Sequence, residues 1–111
     1  MTYTVLMTAD AAYDLEQLHQ FVCINDSPGK ARQLLNKIEK VFKTLSENPE
    51  RGVYPKELLA LGIRDYRQIH FKPYRIIYRV ASSVVYVMII ADGRRDMQTL
   101  LQQRLFSADQ I

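Results

Sequence analysis

The chain is 111 residues long, the length of one domain, and its 48% apolar and 24% charged residues are ordinary globular values. Its net charge of +3 is unevenly held: residues 1–50 carry five Lys/Arg against seven Asp/Glu, and residues 51–111 carry ten against five, so the second half should attract a polyanion or an acidic partner protein. The single cysteine, Cys23, excludes an intrachain disulfide and fits a cytoplasmic location, and the longest apolar run, Val84 to Ala91, is too short to cross a bilayer.

Thr2–Met7 reads as a strand, and the acidic turn that follows it speaks against a signal peptide. Thr8 or Asp10 offers an N-cap to a first helix, in which Ala11, Leu15, Leu18 and Val22 recur at helical spacing. Asn25-Asp26-Ser27-Pro28-Gly29 stops it. Ser27 as N-cap and Pro28 at the first helical position begin a second helix. Its stripe is Ala31, Leu34, Leu35, Ile38, Val41, Phe42 and Leu45, and it ends at Asn48-Pro49-Glu50-Arg51-Gly52. The short link makes the two helices an antiparallel hairpin.

From residue 53 the period changes. Val53–Leu61 reads as a loop with one short turn around Lys56 to Leu59. Strands are expected at Ile63–Phe71, Tyr74–Val80 and Val84–Ile90, with turns at Lys72-Pro73 and Ala81-Ser82-Ser83. The last strand is nearly all apolar, which makes it central. Ala91-Asp92-Gly93 should break it, and Asp96 to Phe106 then carries Met97, Leu100, Leu101 and Leu105 on one helical face. The expected fold is α+β, in the order β-α-α-β-β-β-α over a single domain 1–111, with the hairpin packed on one face of a small, mainly antiparallel, twisted sheet. The expected core is Leu15, Leu18, Leu34, Leu35, Ile38, Val41, Phe42, Leu45, Ile76, Tyr78, Val85, Val87 and Ile89. No His/Cys/Asp/Glu cluster has metal-ligand spacing, and there is neither a Gly-rich phosphate loop nor a G-x-S-x-G elbow, so no metal or cofactor is expected.

The stretch Asp65 to Val80 (DYRQIHFKPYRIIYRV), the apolar strand after it, Asp92-Gly93-Arg94-Arg95-Asp96 and the Pro49-x-x-Gly52 helix exit occur in an order that resembles the ParE/RelE toxins of type II toxin–antitoxin systems. The resemblance covers nearly the whole chain. It implies a toxin held inactive by a co-expressed antitoxin whose C-terminal segment wraps it. The basic second half makes an acidic segment that folds on binding the expected form of that antitoxin.

The resemblance leaves two activities open. RelE-type toxins cleave messenger RNA on the ribosome, which requires positioned cations and a proton-transfer group. Arg75 matches their phosphate-binding arginine, and Arg94 or Arg95 a second. Gln68 and His70, however, stand where they carry a basic pair, and Leu101 stands near their C-terminal tyrosine or histidine. Those departures favour the ParE branch, whose members bind DNA gyrase and block replication, with no catalytic residue and no direct specific nucleic-acid binding. The target-binding candidates are then Arg67, Arg75, Arg79, Arg94, Arg95 and Arg104. Met97, Leu100, Leu101 and Leu105 are the partner-interface candidates. The plainer readings are that Arg67, Arg75 and Arg79 form a solvated sheet face and that Arg95-Asp96 is a local pair or cap. Outside the family, a basic binding module for a peptide or nucleic acid is the remaining alternative.

Overall fold

Capping places the first two helices. The Thr8 hydroxyl accepts from the Ala11 amide at 3.1 Å and the Ser27 hydroxyl from the Lys30 amide at 3.1 Å, with Pro28 at the first helical position. The structure, a computed structural model, describes residues 2–106. In chain order its elements are β1 (Thr4–Met7), α1 (Ala9–Asn25), α2 (Pro28–Glu47), α3 (Lys56–Leu59), β2 (Arg67–Phe71), β3 (Tyr74–Ala81), β4 (Val84–Asp92) and α4 (Met97–Leu105). The short turn expected at Lys56 to Leu59 is α3.

The sheet order is β1-β4-β3-β2. The strands β2, β3 and β4 form the expected antiparallel meander, while β1 lies parallel to β4 at the far edge, from Thr4 opposite Val84 to Met7 opposite Val87. Four strand limits move, two of them slightly: β1 begins at Thr4 and not Thr2, and β3 runs one residue further, to Ala81. The segment from Ile63 does not pair until Arg67, because Gly62, at φ 73, lets the Ile63 amide donate back to the Leu58 carbonyl and round off α3. At the other end β4 continues past Ile90, since Ala91 and Asp92 still pair with Arg75 and Tyr74.

The hairpin covers one sheet face, as expected, with Ala11, Leu34, Ile38 and Leu45 against Ile69, Ile76, Tyr78, Val85, Val87 and Ile90. Leu15, Leu18, Leu35, Val41 and Phe42 are only half-buried, on the flanks of the hairpin. The opposite face is covered too: Leu58 of α3 and Met97, Leu100 and Leu101 of α4 pack on Ile77, Ile89 and Ala91. Ile89 is therefore core, but not beneath the hairpin. The reason is a bulge. Ile77 pairs with Ile89 but Tyr78 pairs with Val87, so Met88 is an extra residue and the alternation of β4 reverses across it.

Tyr78 anchors the exit of α2. Its hydroxyl donates to the Pro49 carbonyl at 2.7 Å and accepts from the Gly52 amide at 2.9 Å. A Cβ on Gly52 would lie 2.5 Å from that hydroxyl and 2.8 Å from the Gln68 carbonyl, so the close approach requires glycine. Ile38, 2% exposed at the centre of the hairpin interface, is the clearest test of this packing. Ile38→Ala should cost about 2–5 kcal/mol in urea unfolding, through lost burial and the cavity left behind.

Candidate functional site

Alternation along β3 sends Ile76 and Tyr78 toward the hairpin and Arg75, Ile77 and Arg79 to the other face. The β2–β3 register then sets His70 opposite Arg75 and Gln68 opposite Ile77. Arg75 is only 5% exposed. Its Nη1 and Nη2 meet the Glu57 carboxylate of α3 in a two-pronged pair at 2.9 and 2.8 Å, and its Nε donates to the Gln68 side-chain oxygen at 2.7 Å. Nη2 is bonded to the same Gln68 oxygen. This fork geometry is the strongest pairing available to a guanidinium. Gly93 makes room for it, because a Cβ there would lie 2.9 Å from Arg75 Cδ. Among the described residues no buried side-chain nitrogen or oxygen lacks a partner.

The Arg75 hydrogen bonds hold the Glu57 carboxyl below its ordinary value of 4.5, against the opposing effect of burial. A carboxylate whose folded pKa is depressed adds stability that is fully present above its unfolded pKa and is lost as pH falls through the folded value. Thermal melts should therefore show the chain losing stability below about pH 4.5. In Glu57→Gln that acid-dependent component should shrink.

A cleft of about 630 Å³ opens beside Arg75, walled by Tyr54, Lys56, His70, Lys72, Tyr74 and Arg94. His70 is exposed there, and burial raises the pKa of the Tyr74 hydroxyl. Groups able to transfer a proton thus stand in the cleft. What it lacks is an unpaired buried cation beside them.

The other candidate arginines scatter. Arg67 faces Tyr78 in register, so it shares the hairpin face rather than that of Arg75 and Arg79. It donates to the Gly52 carbonyl at 2.9 Å and lies over the Tyr54 ring, 4.5 Å from its centroid. Arg79 is exposed and registers with Tyr86. Arg94 is held by Asp92 at 2.6 and 2.9 Å yet is 79% exposed, while Arg95 is exposed with no side-chain hydrogen bond to the described residues. Asp96 caps α4 instead of pairing with Arg95, accepting from the Thr99 amide at 3.1 Å.

Arg104 crosses from α4 to α1, donating to both Asp14 oxygens at 2.9 and 3.0 Å and to the Met88 carbonyl at 2.9 Å. Asp14 also accepts from the Ile90 amide at 3.1 Å. This clamp satisfies backbone groups of β4 beyond the end of β1, where the bulge interrupts the ladder. The expected interface residues of α4 lie inward: Met97, Leu100 and Leu101 are 4%, 7% and 1% exposed, and Leu105 is half-buried. A partner reaches them only if α4 moves. Exposed apolar groups occur on several elements, and the most exposed of them gather on α1, where Tyr13, Phe21 and Ile24 are 62%, 63% and 81% exposed. They line a groove of about 720 Å³ between α1 and α4, floored by Ile90 and Ala91 of β4.

The family described as "ParE toxin of type II toxin-antitoxin system, parDE" matches residues 5–97. The chain belongs to the ParE toxin family. A curated ParE relative, Toxin ParE3 of Caulobacter vibrioides, is 31% identical over 100 residues, covering 90% of this chain and 96% of that one. The chromosomal ParDE system of P. aeruginosa matches with a TM-score of 0.68 at 20% identity, over 82% of this chain and 96% of that one. The toxin–antitoxin complex RelBE2 of Mycobacterium tuberculosis gives 0.58 at 25% identity, over 83% and 99%. A free RelE toxin mutant of E. coli gives 0.59 at 20% identity, over 90% and 93%. The likenesses at 20% identity establish the fold, shared by the ParE and RelE branches. This ParE-family chain is thus the toxin component of a type II toxin–antitoxin system, and no helix among its described residues is long and apolar enough to cross a membrane.

Two residues that organise these sites were not singled out from the sequence. Glu57 lies in a four-residue helix and Asp14 off the apolar stripe of α1. An acidic side chain beside a helical stripe looks like any solvated residue until the sheet is assembled.

Proposed function

We propose that this ParE-family toxin inhibits DNA gyrase and so blocks DNA replication, acting by binding and not by cleaving RNA. The observation that carries the reading is the closed pairing of Arg75 with Glu57 and Gln68. A nuclease needs such a cation to stabilise the charge that develops on phosphorus, and a guanidinium already neutralised by a carboxylate supplies little of it. The exposed cations Arg79, Arg94 and Arg95 are the proposed target contacts. Arg67, Arg75 and Arg104 are spent within the fold. When the toxin is expressed without its antitoxin, plasmid DNA should shift toward relaxed topoisomers, while mapping of mRNA 5′ ends shows no new cleavage. New site-specific ends with unchanged topoisomers would favour the ribosome-dependent endonuclease, for which His70 and Tyr74 in the cleft are the specific support.

The antitoxin is proposed to dock in the groove between α1 and α4. Tyr13, Phe21 and Ile24 form an exposed apolar stripe there, and stripes of that kind on a small domain mark protein interfaces. Phe21→Asp and Ile24→Asp should each weaken antitoxin binding by about 2 kcal/mol or more, the level of an interface hot spot. Isothermal titration against the antitoxin measures the loss. The melting temperature should stay unchanged, because neither side chain is buried within the toxin.

A further inference from the structure

We propose that two copies of this toxin meet through the groove between α1 and α4, with α1 antiparallel to the partner's α1 and Asp10 paired with the partner's Arg95. The two helices run in opposite directions along the groove. Arg104, at the end of α4, holds Asp14 and stands 3.7 Å from Asp10 in the first turn of α1. Arg95, just before α4, lines the groove together with Ile24 and Asn25 at the end of α1. The nine residues of α4 separate these two ends by about 13 Å. Each end carries a charge that the fold leaves largely open. Arg104 spends its hydrogen bonds on Asp14 and the Met88 carbonyl, and the Asp10 side chain stays 57% exposed. Arg95 is exposed, and Asp92 in the same groove wall is bonded to Arg94 instead.

A two-fold axis across the middle of α1 turns this asymmetry into complementarity. It sets Asp10 against the partner's Arg95 and Arg95 against the partner's Asp10, so the contact is made twice. Between these ends, helical spacing places Tyr13 opposite the partner's Ile24 and Gln17 opposite the partner's Gln20, with Phe21 alongside. Residues 1–27 contain four Asp/Glu and no Lys or Arg. The cation that Asp10 lacks therefore comes from outside α1, and a second copy supplies it together with the carboxylate that Arg95 lacks. The inference rests on this groove being an interface, as proposed for the antitoxin, and adds that the free toxin covers it with another copy of itself. The antitoxin then binds by displacing one copy from the other.

Sedimentation equilibrium of the purified full-length chain tests this. The weight-average mass should rise with concentration from 12.9 kDa toward twice that value. Arg95→Glu and Asp10→Arg should each raise the dimer's Kd about tenfold or more, since each sets like charges together at two symmetric contacts. The Asp10→Arg/Arg95→Glu double variant should return to within about threefold of the unaltered chain, because the pair is restored with its signs reversed. Circular dichroism checks that each variant is folded. Thermal melts in dilute solution, below the dimer's Kd, do not sense the contact. A chain that stays at 12.9 kDa throughout, single variants that associate as well as the unaltered chain, or a double variant no better than the singles would each overturn the proposal. A toxin that stays monomeric yet loses antitoxin binding on Phe21→Asp sinks self-association and leaves the antitoxin reading standing.

Discussion

Glu57→Ala should destabilise the fold by about 3–5 kcal/mol, the usual cost of removing one partner from a buried ion pair. Arg75 is 5% exposed and cannot turn out into water, since Gln68 fixes its Nε and Gly93 packs against its stem. Its charge would remain desolvated with one neutral acceptor. Replacing both partners by apolar residues, as in Glu57→Leu/Arg75→Met, should recover most of the loss, because the cost arises from the unpaired charge. Urea unfolding of the two single variants and the double variant measures this. If Glu57→Ala costs less than about 1 kcal/mol, in the range of surface substitutions, the pair is not buried as described.

Arg104→Ala should cost about 3 kcal/mol, the lower end of the same range, because its pair with Asp14 is less deeply buried at 16% and 14% side-chain exposure. Here the loss has two parts. The Asp14 carboxylate loses the Arg104 cation, and the Met88 carbonyl at the bulge loses the Arg104 donor. Asp14→Ala should cost a similar amount and should also speed hydrogen exchange at the Ile90 amide, which Asp14 alone engages through its side chain. The double variant should lose less than the sum of the singles, since both belong to one network. Strict additivity would mean that the two side chains act independently.

The elements whose order depends on local spacing were legible in the sequence. The stripe of α2, the Ser27-Pro28 start and the two tight β-turns are each specified within a few residues, and the structure has them where the pattern put them. The apolar Val84–Ile90 strand is indeed central. Ile89 shows the limit. With apolar side chains on both faces of β4, only the bulge at Met88 decides which face each takes, and nothing in that run marks a bulge. The apolar face of α4 was equally visible, but a stripe does not say whether its own sheet or a partner will cover it. The site was less legible still. Arg75 stood out because its neighbours form a motif, whereas its partner Glu57 lies 18 residues away in sequence. Asp14 is 76 residues from Ile90 and 90 from Arg104. Pairings at that separation are made by the assembled sheet, so local periodicity carries no trace of them.

The most direct test of the proposed activity is supercoiling of relaxed plasmid by purified DNA gyrase, with and without the purified full-length toxin, beside an mRNA cleavage assay on translating ribosomes. Supercoiling should fall with toxin concentration and recover when the antitoxin is added, and the mRNA should remain intact. Undiminished supercoiling together with site-specific mRNA cleavage would contradict the proposal, because it would require Arg75 to serve as a catalytic cation while bound to Glu57.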